Sequence, residues 1–293
     1  MRERPDILCI GSVLWDIIGR TDLPMAAGND KPGRITRLPG GVALNIAMTL
    51  VGQGLRPSLL SVVGDDAAGT ALLVECARMG IEVDHVLVDH DLPTDQYMAI
   101  EAQGTLLAAL ADAQSLETAG ARILEPLENG GLASVDAPWA GPMAIDGNLT
   151  VELLTRIAQS PLFAHADLRL APASPGKAER LRPFLTHPGA TIYVNAEEAG
   201  LISGAPTGCA ETGAEALLKA GARRVLVTDG GRLAVDATPD RTLSLAPPQI
   251  TPRRITGAGD TFMAAHIAAE IRGDTPEAAL AHALTTAATY VAG

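Results

Sequence analysis

Apolar residues along this chain come in short uninterrupted runs set between amphipathic stretches. Ile7-Leu8-Cys9-Ile10, ending in Gly11-Ser12, reads as a strand buried on both faces, as in a parallel sheet. Ser58 to Val63, Thr191 to Val194 and Val225 to Thr228 repeat the pattern, and Ala133-Ser134-Val135 and Ala144-Ile145 read as strand ends. Helical patterning falls between them, at Ala43 to Leu50, at Ala67 to Met79 before Gly80, and at Thr150 to Gln159 with Thr150 as cap. It returns at Glu211 to Ala220 before Gly221, and at Gly257 to Arg272, with Gly273 just past the end and Pro276 beyond. Strands alternating with helices predict an α/β fold, a parallel sheet covered on both faces.

Two stretches break this rhythm. Pro24, Gly28, Asn29, Asp30, Pro32 and Gly33 mark a loop, after which Arg34-Ile35-Thr36-Arg37-Leu38 alternates as a half-exposed strand does. Gln96 to Ile100 and Thr105 to Leu110 flank Gln103-Gly104, a hairpin signal. Both are read as a small β layer added to one edge of the main sheet.

Composition narrows the function. The chain has 293 residues, 47% of them hydrophobic and 19% charged, which describes a folded protein with a core large enough to need no staples. Its 34 acidic and 22 basic side chains give a net charge of −12, which argues against nucleic acid and anionic membranes as partners. A small anionic ligand would have to be held by local devices. Cys9, Cys76 and Cys209 form no CxxC pair and fit reduced thiols. The Met1-Arg2-Glu3-Arg4-Pro5 start leads into an apolar run interrupted by Asp16, and no run approaches about 18 apolar residues, so a cytoplasmic protein is expected. The six histidines lack zinc-ligand spacing, and Asp65-Asp66 and Asp89-His90-Asp91 read as solvated turns.

The stretch richest in chemistry is Thr256-Gly257-Ala258-Gly259-Asp260-Thr261. Its glycines let backbone approach a ligand, and the helix that follows aims free N–H groups at the same spot, which suits phosphate. Asp260 is then a carboxylate beside an anion hole, placed to take a proton, although a plain helix N-terminus has the same look. In Leu38-Pro39-Gly40-Gly41-Val42-Ala43-Leu44-Asn45, a glycine pair opens a helix carrying an amide one turn in, suited to sugar hydroxyls or to an ordinary strand–turn–helix connection. Asp16 after the first strand, Asn195 and Glu198 after the Thr191 strand, and Thr228-Asp229-Gly230-Gly231 converge on the carboxyl ends of the strands.

Taken together, these residues resemble the ribokinase-like (PfkB) carbohydrate kinases, from Gly11 to beyond Asp260. The paired signatures Gly40-Gly41-x-x-x-Asn45 and Gly257-Ala258-Gly259-Asp260 carry the resemblance. Pro32-Gly33-Arg34-Ile35, Ile255-Thr256-Gly257, Asp146-Gly147-Asn148-Leu149 and Ser174-x-x-Lys177 are similar to the bacterial pseudouridine kinases of that family. The resemblance implies a three-layer α/β/α sandwich forming a single domain over 1–293, with a β-sheet lid from about 12–40 and 94–112. It implies ATP and magnesium as cofactors, with Asp260 as base and Gly257, Ala258 and Gly259 as anion hole. Asp16, Gly40, Gly41 and Asn45 would contact the sugar. Asn195, Thr228 and Gly230 would contact the nucleotide, and Glu198 the magnesium through water. Three departures stand out: Arg254-Ile255 in place of Asp-Thr, which counts against a monovalent-cation site, Ala171-Pro172 in place of Asp-Pro, and Leu233 in place of the second glycine of the nucleotide turn.

The leading expectation is an ATP-dependent kinase for the 5′-hydroxyl of a ribosyl compound, foremost pseudouridine. Ribose, another nucleoside such as adenosine, 2-keto-3-deoxygluconate or a sugar phosphate are the other acceptors, the last requiring cations such as Arg34 and Arg37 in the pocket. A non-catalytic sugar or nucleoside sensor is the reading from another class, opposed by the intact Gly257–Asp260 run. Gly11-Ser12-Val13-Leu14-Trp15 is not G-x-G-x-x-G, and no Walker sequence occurs, which disfavours a dinucleotide enzyme and a P-loop protein. The added β layer is also a candidate homodimer surface.

Overall fold

A computed structural model of the chain describes residues 4–254 and 256–293. The start of the N-terminal run and the Ile255 half of the Arg254-Ile255 departure therefore lie outside the described residues. In chain order the first half comprises β1 (Ile7–Ile10), β2 (Leu14–Thr21), β3 (Arg34–Gly40), α1 (Val42–Gly52), β4 (Pro57–Leu60), β5 (Val62–Gly64), α2 (Ala67–Arg78), β6 (Leu87–Asp89), β7 (Gln96–Ala102) and β8 (Thr105–Asp112). Two short helices, α3 (Ser115–Ala119) and α4 (Glu125–Glu128), lead into β9 (Pro142–Asp146), α5 (Val151–Gln159), β10 (Asp167–Ala171), β11 (Ala190–Asn195), α6 (Ala196–Ser203) and α7 (Ala210–Lys219). The chain closes with β12 (Arg224–Thr228), β13 (Ala234–Thr238), β14 (Arg241–Leu245), α8 (Ala258–Ile271) and α9 (Pro276–Ala292).

Among the described residues the main sheet runs β14-β13-β12-β11-β10-β9-β1-β4, parallel from β4 to β12 with an antiparallel hairpin at the far edge. Alternation along β1 divides the core. Leu8 and Ile10 join the cluster under α5, α6 and α7, whereas Ile7 and Cys9 join the one under α1, α2, α8 and α9. Three layers result. From β1 the chain crosses to β4 on one side and later returns to β9 on the other, so the direction of winding changes between β1 and β9. The carboxyl ends at such a point leave a crevice, and the buried Gly11, Ser12 and Asp146 lie beneath it.

A second, four-stranded sheet, β3-β2-β7-β8, arises from residues 14–40 and 96–112. Gln103 and Gly104 both take positive φ (51° and 76°) in the β7–β8 turn, which is the geometry a tight hairpin demands. No helix of the described residues is long and apolar enough to cross a membrane.

Several elements differ from the pattern reading. Ser58 to Val63 is not one strand. Pro57–Leu60 joins the main sheet, and Val62–Gly64 pairs instead with Leu87–Asp89. Ala133–Val135 forms no strand; Ser134 makes one isolated bridge to Asn129. Strands β10 and β13 escaped the pattern because Arg169 and Asp236 interrupt their apolar runs yet are buried as partners of other charges, and β14 escaped because it is a short, half-exposed edge strand. Helix α9 escaped because its small, Ala-rich sequence offers little polar contrast.

Candidate active site

The first turn of α8 forms one wall of the crevice. Gly257 precedes it with φ +83°, and a Cβ there would fall 2.5 Å from the Tyr290 hydroxyl, so only glycine fits. No side chain caps this end, which leaves the N–H groups of Ala258, Gly259 and Asp260 directed outward with the positive end of the helix dipole. The Tyr290 hydroxyl donates to the Thr256 carbonyl at 3.1 Å. The Arg254 guanidinium stacks on the Tyr290 ring at 3.6 Å and donates to the Tyr290 carbonyl, so a permanent cation stands at the departure noted from sequence.

Asp260 lies in that first turn, partly open to the crevice. Burial raises its pKa to about 7, aided by the negative charges of Asp146 and Glu198 and opposed by Asn45, whose Nδ2 donates to Asp260 Oδ2 at 2.9 Å. That bond joins the two glycine signatures across 215 residues. Gly41 carries φ +100° and packs on the Ser12 carbonyl, and a Cβ on Gly40 would lie 2.1 Å from Asp16 Oδ2. Asp16 itself sits within β2, on the second sheet rather than on the main-sheet rim, and burial raises its pKa.

Asn195 ends β11 in register with Thr228, the last residue of β12. Its Oδ1 accepts from the Glu198 N–H at 2.8 Å and Glu198 Oε2 accepts from the Asn195 N–H at 2.9 Å, a reciprocal cap on α6. Glu198 is buried, which raises its pKa, with the neighbouring Glu197 charge adding to the rise. Gly230 takes φ +55° in an open turn with nothing packed over it. Magnesium asks for few protein oxygens and keeps water and phosphate ligands, so a single buried carboxylate suits it, and no cluster of three or more acidic, His or Cys ligands occurs among the described residues. An uncapped helix end likewise suits phosphate, so these residues fit MgATP.

Residues 4–292 match the pfkB family of carbohydrate kinases. The chain belongs to that family. It is 29% identical to a pseudouridine kinase of Escherichia coli (strain K12), across 90% of this chain and 83% of the relative. It is 28% identical to a guanosine-inosine kinase of Exiguobacterium acetylicum, across 98% of this chain and 94% of that one. The structure of a ribokinase from Arabidopsis thaliana superposes with a TM-score of 0.79 at 20% identity, covering 99% of this chain and 93% of that one, so the fold is ribokinase-like. As a pfkB member, the protein is a sugar or nucleoside kinase.

Pattern reading of the site missed the groups beneath it. Asp146 Oδ2 accepts from Ser12 N, Ser12 Oγ and Ala43 N (2.7, 2.8 and 3.1 Å), and Oδ1 accepts from Asn148 N at 2.7 Å. Ser12 Oγ in turn accepts from Val42 N and Asn148 Nδ2, both at 2.8 Å, and Lys177 Nζ donates to Asn148 Oδ1 at 2.7 Å. The Asp146-Gly147-Asn148 and Ser174-x-x-Lys177 runs were visible in the sequence, but nothing there tied them to Ser12.

Proposed function

We propose that the protein transfers the γ-phosphoryl group of ATP to the 5′-hydroxyl of a ribosyl nucleoside, with pseudouridine the favoured acceptor. The observation that carries this reading is Asp260, at an uncapped helix start, held by Asn45 from the Gly40-Gly41 helix. Asn45 occupies Oδ2, so Oδ1 is the oxygen that takes the proton of the acceptor hydroxyl. With a pKa near 7 the carboxylate is ionised often enough at neutral pH, and a loose phosphoryl-transfer transition state asks for only a modest base. The N–H groups of Gly257, Ala258 and Gly259 hold the charge that develops on the transferred group. Asp16, Gly40, Gly41 and Asn45 hold the sugar. Asn195, Thr228 and Gly230 hold the nucleotide, and Glu198 holds magnesium through water. When bound, magnesium would supply positive charge against the phosphates during transfer.

The second sheet is read as a lid on one domain, closing over the sugar so that water does not compete for the phosphoryl group. A phosphorylated acceptor is disfavoured by where the two arginines lie. Arg37 stacks on Trp15 at 3.9 Å, and both lie on the sheet face opposite Asp16. Arg34 shares the Asp16 face but pairs with Arg20, four residues further along β2, about 13 Å away. Arg254 already places a fixed cation beside Tyr290, so no monovalent cation is required. We also read the site of action as the cytoplasm and the assembly as a homodimer through the lid.

ATP consumption with pseudouridine, uridine, guanosine, adenosine, ribose, 2-keto-3-deoxygluconate and fructose 6-phosphate, with and without potassium, tests the reading. The expected result is the highest kcat/KM with pseudouridine, none with fructose 6-phosphate, and no potassium effect. A purine nucleoside in first place would move the acceptor towards that of the guanosine-inosine kinase relative. No turnover with any acceptor would favour the sensor.

A further inference from the structure

Asp146 does not border the crevice as Asp260 does: it is 0% exposed at the end of β9, where the sheet changes its direction of winding. Burial pushes the Asp146 pKa up, but three of its four bonded hydrogens come from backbone N–H groups that can only donate, so both oxygens act as acceptors and this donor set favours the ionised form. Gly11 makes room for it, since a Cβ there would lie 2.3 Å from the carboxylate. Helix α1 has no side-chain cap from Gly41. Its first N–H groups are satisfied from elsewhere: Val42 by Ser12 Oγ, Ala43 by Asp146, and Leu44 by the Ser12 carbonyl at 3.3 Å. The next residue is Asn45, the one that grips Asp260.

We propose that Asp146, with Ser12, is a positioning residue for phosphoryl transfer: the pair fixes the start of α1 at the switch point and so fixes the amide of Asn45 against the Asp260 carboxylate. The inference rests on Asp260 being the base. Its charge also reaches Asp260. The titratable groups that act on Asp260 are Asp146 from β9 and Glu198 from α6, while α1 contributes only the neutral Asn45 and α9 the Tyr290 phenol near Gly257. Removing the Asp146 charge should therefore lower the Asp260 pKa.

The test is Asp146→Asn, which keeps shape but turns an amide towards N–H donors, alongside Ser12→Ala, which keeps the buried carboxylate. A loosened base should cost about 10- to 100-fold in kcat, with the KM for MgATP little changed. Relative to Ser12→Ala, which loosens Asn45 but keeps the carboxylate, Asp146→Asn should move the acid limb of the kcat/KM profile to lower pH, an effect that loss of packing alone would not produce. If Asp146→Asn does not fold, Ser12→Ala decides through its kcat. Wild-type kcat in a folded Asp146→Asn, or in Ser12→Ala, overturns the proposal. Asp260→Asn, run in parallel, separates the two readings. Retained turnover there removes the base assignment, whereas an inactive Asp260→Asn beside a fully active Asp146→Asn removes only the positioning role.

Discussion

At the scale of single residues, the protonation of Asp260 is a balance of neighbours whose separate effects have opposite signs. Burial and the charges of Asp146 and Glu198 raise its pKa to about 7, while the Asn45 amide favours the ionised form. Asn45→Ala should therefore shift the acid limb of kcat/KM to higher pH, opposite in direction to Asp146→Asn, and a pH–rate series on both variants checks the pair of signs. Stability carries the same signature. A carboxyl with a raised pKa in the folded state contributes stability that is full below its unfolded pKa, near 3.8, and is lost as the pH rises through about 7. Asp260→Asn cannot ionise, so its melting temperature should gain on the wild type between pH 5 and pH 8 while turnover disappears. A gain that shrinks with rising pH would contradict the buried-base picture. Residue types at this site were legible from sequence because glycine pairs and a helix-opening Asp are local signals. The support was not, because Ser12 and Asp146 are 134 residues apart and meet only through the sheet.

At the scale of elements, α8 is pinned at the end away from its open N-terminus. Glu270, near its C-terminal end, pairs with Arg169 on β10 and with Arg224 on β12 (2.6 Å), and Arg224 and Arg241 share the fully buried Asp236 of β13. Burial works against ionising Glu270, but the Arg169, His266 and Arg224 groups outweigh it and lower its pKa to about 2. His266 is buried and held near pKa 4, so it is neutral at pH 7, with Nδ1 against the Tyr193 hydroxyl. A lowered carboxyl pKa gives stability that is present above about 4.5 and lost as the pH falls through about 2. Glu270→Gln leaves the buried Arg169 and half-buried Arg224 guanidinium groups short of a counter-charge and should cost about 3 kcal/mol at pH 7 in urea unfolding. Most of that difference from wild type should vanish towards pH 2. The same cluster accounts for the strands that pattern reading missed. A buried Arg or Asp breaks an apolar run on paper, and its counter-charges lie on other elements, so β1, β11 and β12 were readable while β10 and β13 were not.

At the scale of the whole molecule, the four-stranded sheet has two unlike faces. Residues paired across strands share a face and successive residues alternate, so Asp16 lies on one face with Leu38 and Tyr97. The other face carries a row of Arg37, Ile17, Met98 and Leu110, and beyond it Ile35, Gly19, Ile100 and Ala108. Ile35 is 77% exposed and Leu110 69%, and β8 is exposed along its whole length with no charge before Asp112. Native edges are normally protected by charge, proline or a covering partner, and this one has no proline and no charge before its last residue. A second copy meeting the same face would bury both apolar rows while leaving the Asp16 face turned to the crevice. It must do so against a charge of −12 on each chain, so added salt should favour association. Light scattering should give twice 30.2 kDa for the wild type and a monomer for Leu110→Lys, which puts a cation in the middle of the apolar face. Because Leu110 lies on the sheet face opposite Asp16, turnover per chain in that variant reports whether the proposed lid acts together with its partner. A wild-type chain that stays monomeric at tens of micromolar in high salt would show that the apolar face serves some purpose other than self-association.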